Sequence, residues 1–325
     1  MSQDLVSKIQ SLKKERNAVI LAHYYEDGDI QDIADHVGDS FYLAKMGQKS
    51  QADVILLAGV VFMAESVKIL NPTKKVLVPD MAAGCSLVES SPFEDYLQWR
   101  KNNLDAICVT YINSSAEVKA ISDVIVTSSN AAQILDAIPK ERKILFGPDQ
   151  HLGRYLSKKY SRPMEFWRGA CQVHILFDAQ RLHELTLKHP EAVVIAHPEC
   201  EDAVLRYAHV IGSTSRLLEE VEKNPAKKFI VATEQGIFHQ MAKARPDVEL
   251  IQAPIDDGTC NCNNCPFMKM NNLEKIANAL ETLQPQVMLN ENVRHLAQVS
   301  LDRMMSITSG KQVTWPQTFQ FEGFK

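Results

Sequence analysis

The chain of 325 residues is 45% hydrophobic and 23% charged, which is ordinary for a globular protein. Its net charge is −5 and it has no long block of Lys and Arg, so we expect no nucleic acid partner. Residues 1–20 hold no apolar signal core and no apolar run reaches the ~18 residues of a membrane span, so we expect a cytoplasmic location and no membrane partner.

Predicted strands alternate with predicted helices along most of the chain, which is typical of parallel sheets covered by helices. In chain order, the predicted strands are 18–22, 53–58, 75–78, 105–110, 123–126, 143–146, 192–196, 228–232 and 248–252. The predicted helices among them are 29–37, 63–70, 115–121, 130–138, 150–159, 200–208, 214–224 and 235–243. Apolar residues at helical spacing predict two more helices, over 273–283 and 293–304. We expect the C-terminal segment, 268–325, to pack back on the first part of the fold as a brace.

The same order of features occurs three times along the chain. A strand that ends in polar residues opens each copy, in AVILAHYY (18–25), DAICVTYINSS (105–115) and AVVIAHPE (192–199). A hydroxyl-rich turn follows in each, in GDS (38–40), TSS (127–129) and GSTS (212–215). A repeat of this length indicates a triplicated small domain and not a solenoid. We therefore predict three α/β units, 1–88, 89–175 and 176–267.

Each copy closes on a cysteine, and these residues, Cys85, Cys171 and Cys265, lie 86 and 94 residues apart. Three units arranged around one axis would bring the three thiols together. Three thiolates on a four-iron cluster would leave one iron without a protein ligand, and such an iron is a Lewis acid suited to dehydration chemistry. The spacing therefore favours a metal centre between the units.

The other cysteines are interpreted differently. The chain has seven in total, an odd number that fits reduced thiols better than a disulfide framework. Cys108 lies in an apolar run and Cys200 starts a predicted helix, so both are interpreted as structural. Cys260, Cys262 and Cys265 form half of a zinc site, which keeps zinc as an alternative, but no second pair with suitable spacing occurs.

The chain resembles the quinolinate synthase (quinolinate synthetase A) family over essentially its whole length. The motifs that carry the resemblance are AHYY with GDS, AGCSLVES, TYINSSAEVKA with VTSSNA, FGPDQHLG, AHPEC with GSTS, ATEQG and CPFMKMN. The resemblance implies three Rossmann-like αβα domains related by a pseudo-threefold axis, with a [4Fe-4S] cluster held between them by the three spaced cysteines. It also implies condensation of iminoaspartate (iminosuccinate) with dihydroxyacetone phosphate to quinolinate, with release of phosphate and two waters, in NAD biosynthesis. An enzyme that produces iminoaspartate is then an expected partner.

One segment departs from the family pattern. Some members carry C-x-x-C-x-x-C before this P-x-M segment, whereas this chain carries C-x-C-x-x-C. Cys265, which precedes Pro266, matches the ligand position. Two alternatives stay open for Cys260 and Cys262, a redox pair or idle thiols.

The expected substrates carry carboxylates and a phosphate, and the predicted strand ends offer groups that suit them. Glu199 is the predicted general base, because proton removal beside an imine needs a carboxylate near the metal. Tyr25, Tyr111 and His197 complete the predicted catalytic groups, and His174 is a weaker candidate. The predicted substrate-binding residues are His23, Ser40, Tyr111, Ile112, Asn113, Ser128, His197, Pro198, Glu199, Ser213 and Thr214.

The hydroxyl-rich turns have two interpretations that are compatible. Ser40, Ser128 and Ser213–Thr214 precede helices, where Ser and Thr commonly act as N-caps. Helix N-termini also bind anions, and those at the carboxyl ends of parallel strands face the ligand cleft. We expect these residues to bind the anionic groups of the substrates.

Two other functions use parts of the same pattern. A non-catalytic iron–sulfur carrier or sensor would use the same cysteines, but it would not explain polar residues at three strand ends. A nicotinamide-dependent dehydrogenase would need G-x-G-x-x-G after the first strand, where AHYYEDGD stands instead. We therefore expect a condensing enzyme, a transferase with cluster-assisted dehydration.

Overall fold

A computed structural model describes residues 2–255 and 263–320. Cys260 and Cys262 lie outside the described residues, so both alternatives for them stay open. Within the described ranges, every helix is too short or too polar to cross a lipid bilayer.

The first sheet has four parallel strands in the order β2-β1-β3-β4. They are β1 Ala18–His23, β2 His36–Gly38, β3 Val54–Ala58 and β4 Lys75–Leu77. The helices of this part are α1 Ser2–Glu15, α2 Gly28–Ile33, α3 Ser40–Lys49, α4 Val61–Leu70 and α5 Ser86–Glu89. Helix α6, Phe93–Lys101, lies in the predicted range of the second unit, where its Tyr96 hydroxyl is 3.1 Å from that of Thr110. All of β3 is buried, as expected of a central parallel strand with helices on both faces.

The second sheet repeats this arrangement in the order β6-β5-β7-β8, again all parallel. Its strands are β5 Ile107–Tyr111, β6 Val124–Val126, β7 Ile144–Gly147 and β8 Glu165–Phe166. Its helices are α7 Ala116–Ala120, α8 Ala131–Ala137 and α9 Gln150–Lys159, followed by a 3₁₀ helix, His174–Leu176. The central strand β5 is buried along its whole length.

The third sheet has the order β10-β9-β11-β12 and is also parallel. Its strands are β9 Val193–Ala196, β10 Val210–Ile211, β11 Lys228–Ala232 and β12 Glu249–Gln252. Its helices are α10 Ala179–Lys188, α11 Asp202–Leu205, α12 Thr214–Lys223, a 3₁₀ helix Gln235–Ile237 and α13 Phe238–Ala244. A 3₁₀ helix, Met268–Met270, then leads to α14 Leu273–Thr282 and α15 Glu291–Thr308.

The three sheets share one strand order and one strand direction, which confirms the predicted α/β class with three Rossmann-like αβα units. Each sheet lies inside one of the three predicted ranges. The limits at residues 88, 175 and 267 themselves stay predictions. Because parallel strands end at the same edge of a sheet, each unit presents its strand-end residues on one side.

The short edge strands differ from the prediction. The predicted helix 29–37 is wrong in its second half, because α2 ends at Ile33 and β2 begins at His36. The predicted helix 200–208 is likewise reduced to α11 and is followed by β10. Strands β2 and β10 contain only one and two apolar residues, too few to show an alternating or continuous apolar pattern. Helices α3, α6 and α10 were also not predicted.

The C-terminal segment braces two units and not one. Helix α14 packs against α1 and β3 of the first unit, as predicted. Helix α15 packs mainly against α7 and β6 of the second unit, with a smaller contact to α4. Its Ser300 hydroxyl donates to the carbonyl oxygen of Lys119 at 2.9 Å, and its Leu301 and Met304 are fully buried. The expectation of a brace on the first unit is therefore wrong for α15, whose apolar face packs on α7.

Candidate active site

One pocket lies where the strand ends of all three sheets converge. Its volume is about 730 Å³, measured together with its opening to solvent. Most of the predicted site residues line it, namely His23, Tyr25, Ser40, Cys85, Tyr111, Ile112, Asn113, Ser128, Cys171, His197, Glu199, Thr214 and Cys265. Pro198 and Ser213 are not among the lining residues. The Ser213 hydroxyl oxygen accepts the backbone N–H of Arg216 at 3.3 Å and caps α12.

The three repeat cysteines line this pocket, and each precedes a short helical turn. Cys85 is the N-cap of α5, Cys171 precedes the 3₁₀ helix at 174–176, and Cys265 precedes the one at 268–270. The backbone N–H four positions after each cysteine donates to that cysteine's carbonyl oxygen, at 3.0, 3.2 and 3.2 Å. Backbone N–H groups of these turns also hydrogen-bond to the three sulfurs. Such donors stabilise thiolates and tune iron–sulfur centres.

The three thiols are poor acids in this environment. Burial raises the pKa of Cys85 to about 12 and also raises the pKa of Cys171 and Cys265. The negative charge of a neighbouring thiolate raises the pKa further: Cys265 acts in this way on Cys85, and Cys85 acts on Cys171. Three thiolates in this pocket therefore need a cation to balance their charge. Since thiolates are the ligands that zinc and iron–sulfur clusters prefer, the donor set fits a metal centre.

Glu199 is 2% exposed and lies in a buried hydrogen-bond network. The Nδ1–H of His174 donates to its Oε2 at 2.8 Å, and the Tyr111 hydroxyl also hydrogen-bonds to this carboxylate. Burial by itself would raise the pKa of Glu199, but interactions with His197 and His174 and the hydrogen bonds from His174 and Tyr111 lower it, and these hydrogen bonds do not need a charged histidine ring. The carboxylate is therefore ionised and can accept a proton.

His174, the weaker candidate from the sequence, lies at the centre of this network. Its Nδ1 is 3.2 Å from the Cys171 sulfur, and the ligand atoms of Cys171, His174 and Glu199 all lie within 4.8 Å of one another. Its Nε2 is 3.0 Å from the Thr233 hydroxyl, which is 2.6 Å from the Tyr25 hydroxyl. With the Nδ1 proton on the Glu199 side, Thr233 donates to Nε2 and Tyr25 donates to Thr233. In this arrangement the hydrogen bonds run from Tyr25 through Thr233 and His174 to Glu199, so they can carry a proton from Tyr25 to Glu199.

Thr233 is a functional candidate that sequence reasoning missed. It is fully buried and follows β11 directly. The signal was available, because polar residues at the ends of β1, β5 and β9 were selected on the same ground. A single threonine after a strand is common, however, and its partners come from two other segments.

His23 and His197 have equivalent local structures in the first and third units. The Tyr25 backbone N–H donates to His23 Nδ1 at 3.2 Å, and the Glu199 backbone N–H donates to His197 Nδ1 at 3.4 Å. Burial lowers the pKa of His23 to about 4 and the pKa of His197 to about 3. Both rings are therefore neutral near pH 7 with the proton on Nε2, where it can be donated to a substrate oxygen.

The hydroxyl-rich turns bring Ser40, Ser128 and Thr214 to the pocket. Ser40 and Thr214 are the first residues of α3 and α12, so both helix N-termini lie at the pocket. The N-cap interpretation is right for Ser213, whereas Asp39 caps α3 in place of Ser40. Helix N-termini favour anions because their backbone N–H groups lack intrahelical partners. The arrangement suits a phosphate or carboxylate.

The fold and the pocket together define an α/β protein of three repeated units that share one thiol-lined centre with acid–base groups beside it. The chain belongs to the quinolinate synthetase A family, and a profile described as "Quinolinate synthetase A protein" matches residues 7–306. The family resemblance seen in the motifs is therefore confirmed.

Individual relatives match over nearly the whole chain. The quinolinate synthase of Nostoc punctiforme is 51% identical over 305 residues, which cover 94% of each chain. That of Chloroherpeton thalassium is 48% identical over 305 residues, or 94% of this chain and 95% of the relative. That of Synechocystis sp. is 48% identical over 308 residues, or 95% of this chain and 96% of the relative.

Proposed function

We propose that the protein is a quinolinate synthase that condenses iminoaspartate with dihydroxyacetone phosphate to quinolinate, a step in NAD biosynthesis. The reaction joins two anionic substrates and releases phosphate and two waters, so it needs anion-binding donors, a base and a Lewis acid. The single observation that carries the proposal is the convergence of Glu199, the hydroxyl-rich turns and three thiols on one pocket. The names of the relatives give the product, quinolinate, the family resemblance implies the two substrates, and the pocket holds groups that suit the reaction.

Cys85, Cys171 and Cys265 are the residues that would hold a [4Fe-4S] cluster. When bound through three thiolates, such a cluster supplies an iron with an open coordination position, which acts as a Lewis acid toward substrate oxygens. The shared pocket, the backbone donors to each sulfur and the free state of the five described cysteines support this ligand set. Zinc is the alternative metal, for a site that would use Cys260, Cys262 and Cys265.

Glu199 is the proposed general base. Its carboxylate is kept ionised by His174 and Tyr111, and it lies beside Cys171. The Thr233 hydroxyl and His174 connect this carboxylate by hydrogen bonds to Tyr25, which lines the same pocket. General acid–base assistance contributes about 10²–10⁴-fold to a rate, so this network is a substantial part of the proposed catalysis.

The substrates are proposed to bind through neutral donors. Ser40, Ser128 and Thr214 suit the phosphate of dihydroxyacetone phosphate, because their hydroxyls lie beside helix N-termini. His23 and His197 would donate to carboxylate or carbonyl oxygens. Asn113 and Tyr111 add to the polar lining, with Ile112 as an apolar wall. Of the other predicted binding residues, Ser213 would act by capping α12 and Pro198 by fixing the backbone between His197 and Glu199.

The substrate chemistry also implies a partner. Iminoaspartate is an imine, and imines hydrolyse in water, so an enzyme that oxidises an amino acid must supply it close to where it is consumed. We propose such an iminoaspartate-producing enzyme as the upstream partner. The free thiols of the described cysteines suit a cytoplasmic location, which we also propose.

The main alternative is a non-catalytic iron–sulfur carrier or sensor. In the deciding experiment the protein is reconstituted anaerobically with iron and sulfide, and its iron and sulfide contents are determined. Phosphate release and quinolinate formation are then measured under anaerobic conditions. Release that requires both substrates and iron supports the synthase. A fully iron-loaded protein that forms no quinolinate would contradict the synthase and support a carrier or sensor. A colourless protein that retains zinc would exclude the cluster.

A further inference from the structure

Asp39 joins all three units at the edge of the pocket. It follows β2 of the first unit, and its Oδ2 accepts the hydroxyl of Ser129 from the second unit at 2.6 Å and that of Ser215 from the third at 2.7 Å. Its Oδ1 accepts the backbone N–H of Tyr42 at 2.9 Å and so caps α3. Asp39 is 7% exposed, and hydrogen bonds to a charged group with little solvent access are among the stronger ones. We name Asp39, Ser129 and Ser215 the Asp39 junction.

The Asp39 junction has a regular relation to the pocket. In each unit, one residue bonds at the junction and its chain neighbour contributes to the pocket lining. The three pairs of neighbours are Asp39–Ser40, Ser128–Ser129 and Thr214–Ser215. Ser40, Ser128 and Thr214 line the pocket, and Asp39 and Ser129 of the junction also reach its wall. Because chain neighbours share a backbone, fixing the junction fixes the three pocket hydroxyls relative to one another.

The charge of Asp39 would oppose anion binding if it were left free. It is instead met by one backbone N–H and two hydroxyls, and the N-terminus of α3 also favours a negative charge. The Tyr24 hydroxyl hydrogen-bonds with Ser215 and adds a second polar link between the first and third units. The carboxylate thus provides a shared acceptor for three units, while its donors offset much of its repulsion toward a bound anion.

We propose that Asp39 is a positioning residue for the phosphate-bearing substrate, because it holds three hydroxyl-rich turns, one from each unit, around a single anionic group. The identity of that anion rests on the proposed function. Asp39 has no part in proton transfer or in metal binding. Its loss therefore raises the KM for dihydroxyacetone phosphate and leaves kcat and iron content nearly unchanged.

Substitutions separate the junction from the helix cap. Asp39→Asn keeps an oxygen for the Tyr42 N–H but replaces the shared acceptor by a donor. Ser129→Ala and Ser215→Ala each remove one hydroxyl and leave the cap of α3 intact. Asp178→Asn is the matched control, because the Asp178 side chain accepts the Arg181 N–H at 2.8 Å and caps its own helix, α10.

Steady-state kinetics of the reconstituted holoenzymes give the first test. We expect Asp39→Asn to raise the KM for dihydroxyacetone phosphate about tenfold or more, as loss of hydrogen bonds to a charged group predicts, while Asp178→Asn stays within about twofold of wild type. The Ser129 and Ser215 hydroxyls both donate to Asp39 Oδ2. In a protein that already carries Asp39→Asn, adding Ser129→Ala should therefore raise the KM by less than about a further twofold. A KM for Asp39→Asn equal to that of the control would overturn the positioning role. So would a double variant whose KM change equals the product of the changes in Asp39→Asn and Ser129→Ala alone.

Hydrogen exchange gives a second test that does not need turnover. In the iron-loaded protein without substrate, residues 127–131 and 212–216 should exchange faster in Asp39→Asn than in Asp178→Asn. Unchanged exchange in both segments contradicts the junction, whereas a wild-type enzyme that forms no quinolinate contradicts the proposed function alone. Faster exchange with an unchanged KM shows a purely structural contact and also overturns the proposal. Should Asp39→Asn not fold, the Ser129→Ala/Ser215→Ala double variant decides both measurements.

Discussion

At the scale of single residues, the pocket depends on buried polar groups whose partners fix their protonation state. Glu199 stays ionised because His174 and Tyr111 donate to it, and His23 and His197 stay neutral because burial disfavours their charged forms. An ionised acceptor beside neutral donors suits proton removal from a bound substrate. The assignment can be tested one residue at a time.

Glu199→Gln removes the proposed base and keeps the shape of the side chain. We expect kcat to fall about 10²–10⁴-fold with little change in KM, because the carboxylate acts in proton transfer. Iron content and substrate binding should be retained. Glu201→Gln is the control, since Glu201 is exposed and its side chain makes no capping bond. A Glu199→Gln enzyme within about threefold of wild-type kcat would give the role to Tyr25 or His197.

Thr233→Val removes a hydroxyl that links Tyr25 to His174 and keeps the volume nearly constant. Two buried polar groups then lose a partner, so we expect the free energy of unfolding to fall by about 1–3 kcal/mol and kcat to fall as well. Chemical denaturation and steady-state kinetics measure the two effects. Thr282→Val, at an exposed hydroxyl that bonds the Asn278 carbonyl oxygen, should change both very little. Equal changes in unfolding free energy and kcat for the two variants would exclude the proposed hydrogen-bond chain from Tyr25 through Thr233 to His174.

Glu26 gives a prediction for pH dependence. It is fully buried, its Oε1 accepts from Asn271 at 2.8 Å, and burial raises its pKa from 4.5 to about 8. A raised pKa in the folded state means that stability present below about pH 4.5 is lost as the pH rises toward 8. Glu26→Gln should therefore leave stability at pH 4 unchanged and increase it above, by up to about 1.4 kcal/mol per pH unit. Urea unfolding at several pH values measures this, with the exposed Glu274→Gln as control, and parallel curves for the two variants would contradict it.

At the scale of elements, the sequence predicts what is long and buried and misses what is short or set by packing. The central strands β1, β3, β5, β7, β9 and β11 were all predicted, because helices cover both of their faces and their residues are continuously apolar. The edge strands β2, β8 and β10 were missed because they hold only one or two apolar residues each, whereas the equally short edge strands β4 and β6 were predicted from their apolar runs VLV and VIV. The position of α15 was also missed. Its apolar face predicts a buried helix but does not say which unit covers that face.

Helix α15 should contribute to stability through the face that it buries. Leu301 is fully buried where the helix meets the second unit, whereas Val299 on the same helix is 48% exposed. Leu301→Ala should lower the free energy of unfolding by about 2–5 kcal/mol, because it leaves a cavity in a packed core. Val299→Ala should stay within about 0.5 kcal/mol of wild type. A loss below about 1 kcal/mol for Leu301→Ala, measured by chemical denaturation, would show that α15 is not part of the core.

At the scale of the whole molecule, the threefold repeat explains why the site could be predicted in part. Equivalent positions in three similar units meet near the axis that relates them, so the spacing of the cysteines and of the strand ends was enough to select residues that do line one pocket. Asp39, the partners of Thr233 and the central place of His174 were not predictable in this way. Each depends on a contact between units, and such contacts break the equivalence of the three copies.

The last prediction concerns the three thiols as a set. Each unit contributes one cysteine in the same local structure, with backbone N–H groups directed to the sulfur, so a metal centre held by the three sulfurs would require all three units to be assembled. Changing Cys85, Cys171 or Cys265 to Ala should abolish the brown chromophore after anaerobic reconstitution, because two thiolates cannot hold the cluster firmly. Iron and sulfide content should fall with it.

The matched control is Cys108→Ala, at a fully buried cysteine whose sulfur lies 3.6 Å from the Thr110 hydroxyl in the core of the second unit. It should keep full iron content, since this thiol does not line the pocket. A Cys171→Ala protein with full iron content would contradict ligation by three units and would direct attention to other donors. If Cys85→Ala, Cys171→Ala and Cys265→Ala all lose iron while circular dichroism shows unchanged secondary structure, the metal centre needs a ligand from each of the three units.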